Sequence, residues 1–90
     1  MKALSFDEYR NYLVTKRGRY RRLFDTALGQ MVLADLRKSC KIGQDIMVPG
    51  DPHATAYNAG QQRVYLRIDS ILNWDHEKIE QLGRLAKENE

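Results

Sequence analysis

The amino-acid sequence predicts an all-α domain, a compact bundle of four to five helices with one long central helix. Three observations predict it. Apolar residues recur at three- and four-residue spacing in several separate segments, and those segments open on Ser, Thr or Asp. No segment alternates apolar and polar residues as a half-buried strand does. The chain has 90 residues and a single cysteine, Cys40, so it is one small domain without an internal disulfide. A domain of that size buries only about two-thirds of its unfolded surface and is marginally stable by itself.

The first helix starts at Ser5-Phe6-Asp7-Glu8, an S-x-x-E capping box. Phe6, Tyr9 and Leu13 then share a face, which gives a helix over about residues 6–16. Gly18 ends it or separates it from the next segment. Tyr20, Leu23 and Phe24 define that second, shorter segment, up to Asp25. Thr26 caps a third, running to about Lys38, with Leu28, Val32, Leu33 and Leu36 as its apolar face. Asp25-Thr26 is a plausible cap, and the second and third segments read equally as one bent helix or as two. Residues 41–51, KIGQDIMVPGD, form the one long connection. Gly43, Pro49 and Gly50 punctuate it.

Asp51-Pro52 is a strong start signal, because proline at the first helical position forfeits no needed N–H. The fourth helix runs from there to about Asn73, with Tyr57, Val64, Tyr65, Ile68, Ile71 and Leu72 apolar. It is the longest and most apolar, hence the expected central element. Asp75 caps a last helix over about 76–87, where Ile79, Leu82 and Leu85 face inward. Ala56 and Gly60 lie four apart on the fourth helix. An interior helix glycine costs about 1 kcal/mol relative to alanine, so Gly60 is expected at a close helix crossing, with Gly29 opposite.

Charge is unevenly spread. Residues 1–41 carry ten Lys/Arg and four acids, leaving +6; residues 42–90 carry five and eight, leaving −3. Such a dipolar chain suits self-association or contact with a larger acidic surface. The densest cluster is Lys16-Arg17-Gly18-Arg19-Tyr20-Arg21-Arg22. Lys16, Arg17, Arg19, Arg21 and Arg22 are therefore the candidate contacts, to phosphates or to acidic protein. Any nucleic-acid binding through them would be non-specific, since no base-reading motif accompanies the charge. The bland reading is a solubilising surface.

Other chemistry is weakly supported. Cys40, His53 and His76 lack metal-ligand spacing, so no metal is expected. Cys40 follows a helix end, where the dipole disfavours a thiolate. There is no Gly-rich phosphate loop and no paired carboxylate motif. No cofactor and no enzymatic activity are expected. No run approaches the roughly 18 apolar residues of a membrane span. Asp7-Glu8 interrupts the place of a signal-peptide core, so neither export by that route nor a membrane partner is expected.

Two stretches carry a resemblance. One is Tyr20-Arg21-Arg22-Leu23-Phe24-Asp25-Thr26, continuing through Gly29 and Val32 to Leu36. The other is Asp51-Pro52-His53-Ala54-Thr55-Ala56-Tyr57, continuing through Gly60 and Val64 to Ile68. Over about residues 17–75 the chain resembles a small family of tailed-phage and prophage proteins, typified by one from a short-tailed Bordetella phage. The resemblance implies a phage protein that contacts other phage structural proteins, or itself, in virion assembly near capsid and portal. It implies a place in the host cytoplasm during infection or in the virion. It supplies no catalytic residue. Two outcomes separate the main readings. A structural component leaves an apolar patch exposed in the monomer. A nucleic-acid binder brings Arg17, Arg19, Arg21 and Arg22 to one face without acids between them.

Overall fold

The structure, a computed structural model, describes residues 4–88. Among the described residues four helices succeed one another: α1 (Phe6–Phe24), α2 (Ala27–Ser39), α3 (Pro52–Leu72) and α4 (His76–Glu88). No strand occurs among the described residues.

Gly18 does not break the first helix. α1 runs through it for 19 residues, and a Cβ at Gly18 would meet no atom within 4 Å. The reason is tertiary. Leu13 and Phe24 are buried on either side of the glycine, and Tyr20 packs against the core. Those contacts exceed the cost of about 1 kcal/mol for an interior glycine. The break falls at Asp25-Thr26 instead, so the second segment belongs to α1 and the third is a separate helix. Thr26 works in both directions there. Its Oγ1 accepts from Gly29 N at 2.9 Å and donates to Leu23 O at 3.2 Å. The side-chain amide of Gln30 donates to Phe24 O at 2.8 Å. These bonds use the orphan carbonyls of α1 and an orphan amide of α2.

α2 ends in a Schellman arrangement. Ile42 N donates to Arg37 O and Lys41 N to Lys38 O, both at 3.1 Å. Lys41 holds the left-handed position at φ 61° that glycine usually occupies. Its side chain explains the choice, since Lys41 Nζ donates to Asn58 Oδ1 at 2.7 Å. Asn58, a buried polar residue, passes the link on by donating to Ile46 O at 3.1 Å. Gln62 donates to Lys41 O at 2.7 Å. Polar side chains on one flank of α3 thereby hold the 41–51 connection. α3 starts at Pro52, with Asp51 Oδ1 accepting from Ala54 N at 2.9 Å. α4 starts with Asp75 Oδ1 accepting from Lys78 N at 2.7 Å.

The central element is α1, which packs against all three other helices, and not α3, although α3 is longer at 21 residues. The C-terminal half of α1 joins α2 and α3 around Phe24, Leu33, Cys40 and Tyr65. Its N-terminal half meets α4, where Phe6 lies over Gly83 and Ile79 is fully buried. Leu85, expected inward, is 48% exposed. The bundle is open rather than compact. Its radius of gyration is 16.4 Å, against about 12 Å for a compact domain of this length.

Candidate functional site

The five basic candidates do not form one surface. They occupy successive positions on α1 and fan out around it at about 100° per residue. Arg17 and Arg21, one turn apart, reach across to the end of α3. Arg21 Nε donates to Leu72 O at 3.1 Å and its Nη2 to Trp74 O at 3.0 Å. Arg17 Nη1 donates to the same Trp74 O at 3.0 Å. Arg21 thus caps a carbonyl that the end of α3 leaves unpaired, at the negative end of that helix dipole, and both guanidinium groups hold the Trp74 carbonyl in the turn between α3 and α4. Lys16 lies over the Tyr12 ring, 5.5 Å from its centroid. Arg19 and Arg22 are exposed. The convergence expected of a nucleic-acid binder is absent, because two of the four arginines are engaged inside the fold.

The close-packing candidates also separate. Gly29 is buried against the end of α1. A Cβ there would collide with Leu23 O, with Phe24 Cα at 2.5 Å and with Phe24 O at 2.7 Å. Its neighbour is thus the α1–α2 corner, and the expected crossing with Gly60 does not exist. Gly60 and Ala56 are exposed, and a Cβ on Gly60 would meet nothing within 4 Å. Sequence reasoning missed Gly83, whose Cβ would come within 2.9 Å of Phe6 Cε2. The signal was its place between Ile79 and Ala86 on the buried stripe of α4.

Cys40 is buried within the core cluster. His53 is exposed, and His76 Nε2 lies 3.2 Å from Glu80 Oε1. Among the described residues no group of three or more His, Cys, Asp or Glu side chains is placed to hold a metal ion.

The largest departure from expectation is apolar. Of the expected α2 face, Leu33 is buried and Leu36 half-buried, while Leu28 and Val32 are exposed. On α3, Tyr65 and Ile71 are buried, whereas Tyr57 and Val64 are exposed. Leu23, on α1, is exposed as well. A shallow groove lined by Arg19, Tyr20, Leu23, Phe24 and Ile68 runs between α1 and α3. The signal was present in α2. From Met31 through Leu28, Val32 and Leu36 to Leu33, its apolar arc is far wider than the roughly 100° that one neighbour covers.

The structure defines a small, open, all-helical protein with much apolar surface uncovered. Residues 20–87 match the family model described as Bbp19-like phage protein, and the chain belongs to that family. The match begins in the second half of α1 and extends through α4. It includes Arg21, Arg22, Gly29, Ala56 and Gly60, while Lys16, Arg17 and Arg19 precede it. Comparison with curated proteins and with solved structures finds no match. No helix among the described residues is long and apolar enough to cross a membrane.

Proposed function

We propose that this phage protein is a non-enzymatic binding component that works through protein–protein contacts in virion assembly or structure, at capsid or portal. One observation carries the reading. Among the described residues thirteen large apolar side chains are exposed, against seven apolar residues buried. Contiguous uncovered apolar surface marks an interaction site, and Tyr20, Leu23, Phe24 and Ile68 line one open groove between α1 and α3. A marginal domain also gains stability by mass action when a partner covers it. The test is mass spectrometry of purified virions and procapsids. The expected result is the chain at fixed stoichiometry to capsid or portal subunits. Absence from every particle would move the role to regulation or to a host target.

A second reading has one observation behind it. Lys16 and Arg19 stand near the exposed Tyr12 along a groove on α1 that also takes in Glu8, and cations beside an exposed ring suit phosphate contacts with base stacking. With Arg17 and Arg21 engaged inside the fold, such binding involves few phosphates and is weak, with a shallow salt dependence.

A further inference from the structure

The molecule packs as two halves. One half, the body, joins the second part of α1 to α2 and α3 around Phe24, Leu33, Cys40 and Tyr65. The other, the arm, pairs the first part of α1 with α4, where Phe6 lies over Gly83 and Ile79 is fully buried. α4 packs on α1 and makes no contact of that extent with α2 or α3. The chain passes between arm and body at two places, inside α1 at Gly18 and in the turn from Asn73 to Asp75. Hydrogen bonds put these two crossings side by side. Arg17, just before Gly18, donates to Trp74 O at 3.0 Å. Arg21, one turn on, donates to the same oxygen at 3.0 Å and to Leu72 O at 3.1 Å. Arg17 stands on the arm side of Gly18 and Arg21 on the body side, so the shared Trp74 carbonyl ties the two.

We infer that the two crossings form a hinge, about which the arm swings against the body, with Arg17 and Arg21 as the latch that sets its rest angle. The glycine argues for it. Of the four glycines within helices, Gly29 and Gly83 are pressed by neighbours, whereas a Cβ on Gly18 or on Gly60 would meet nothing within 4 Å. Packing gives no reason for either of the last two, and Gly18 alone stands where the halves join. An interior glycine makes local opening of a helix about fivefold more frequent than alanine does. The second crossing is a turn outside any helix, the kind of segment that absorbs a hinge rotation. Two crossings held at neighbouring points leave one easy rotation, about the line through Gly18 and Trp74. Ile71, 2% exposed, lies at that level, its carbonyl accepting from Trp74 N at 3.3 Å. A rotation displaces a side chain least there, so its burial is kept. The molecule is elongated, 46 × 35 × 24 Å, and such a hinge lets arm and body each seat at its own angle on one partner. The inference goes beyond the proposed function and does not rest on it.

The test is solution NMR of the isotope-labelled full chain, with residual dipolar couplings in a dilute aligning medium and amide hydrogen exchange. The couplings average over microseconds to milliseconds, the range of hinge motions. The expected result is two alignment tensors. One fits residues 19–72, and a second of smaller magnitude fits residues 6–17 with 76–88. The amides of residues 19–22, whose helix bonds reach back to residues 15–18, should be less protected than those of Leu13 and Phe24. Gly18→Ala adds no contact. It should slow exchange at residues 19–22 about fivefold and bring the two tensors closer. Gly60→Ala, the same change at the other open glycine, should leave both readings as they are. Arg17→Ala, which unties the arm side of the latch, should spread the tensors further. A single tensor for all four helices overturns the inference. So does protection that peaks at residues 19–22, or tensors that Gly18→Ala and Gly60→Ala alter alike. Every outcome is read on the free chain, so each stands apart from whether the protein enters virions.

Discussion

Replacing Arg21 by alanine removes two hydrogen bonds at once, Nε to Leu72 O at 3.1 Å and Nη2 to Trp74 O at 3.0 Å. Hydrogen bonds to a charged group are worth about 1.5–3 kcal/mol each. Arg21 is half-buried, and carbonyls at a helix end can turn toward water, so the total falls at the low end, about 2–3 kcal/mol. For a domain this small, 1 kcal/mol moves Tm by about 4–8 °C, so the shift should be about 10–20 °C. Arg22→Ala provides the contrast. Arg22 is exposed, and its loss should cost no more than about 0.5 kcal/mol. Arg21→Lys should recover only part of the loss, since a lysine has no planar fork to hold two carbonyls. Arg17→Ala should cost less than Arg21→Ala. The double variant should fall short of the sum, because both arginines donate to Trp74 O. The assay is thermal unfolding by far-UV circular dichroism, with all variants at one protein concentration. Equal Tm values for Arg21→Ala and Arg22→Ala would refute the capping role and return both residues to the surface.

Three more outcomes rest on the packing of individual residues. Gly29→Ala should destabilise by more than about 2 kcal/mol, because its Cβ meets backbone rather than a movable side chain; a wild-type urea midpoint would contradict the corner geometry. Gly60→Ala should stabilise by up to about 1 kcal/mol, since open space surrounds the position and alanine favours the helix; a drop in Tm would reveal a contact at Gly60 after all. Asn58→Leu should cost about 1–3 kcal/mol, by leaving the Lys41 ammonium and Ile46 O without their partner. Hydrogen exchange should then quicken across residues 41–51 first, and uniform exchange would contradict the anchoring role.

The helix starts were legible in the sequence because they are local. Ser5, Thr26, Asp51 and Asp75 each bond an amide three residues on, and that chemistry needs no distant partner. The class of fold and the family resemblance were legible for the same reason, since both rest on periodicity and adjacent residues. What lay beyond reach were facts about which surfaces meet. Gly18 looked like a break because propensity is weak, and packing on both sides of it outweighed that propensity. Gly60 looked like a crossing because an interior glycine needs a reason, but Gly29 and Gly83 are the glycines that neighbouring elements press upon. Five basic residues in seven looked like a single patch, yet the helical turn points two of them at the end of α3. Periodicity marked Leu28, Val32, Tyr57 and Val64 as apolar helix faces, and three helices arranged around α1 left them uncovered. Local spacing thus determined where each helix starts and which side of it is apolar. The three-dimensional arrangement alone decided which apolar sides find cover within the chain, because burial depends on how many neighbours a helix has, and that is a property of the assembled fold.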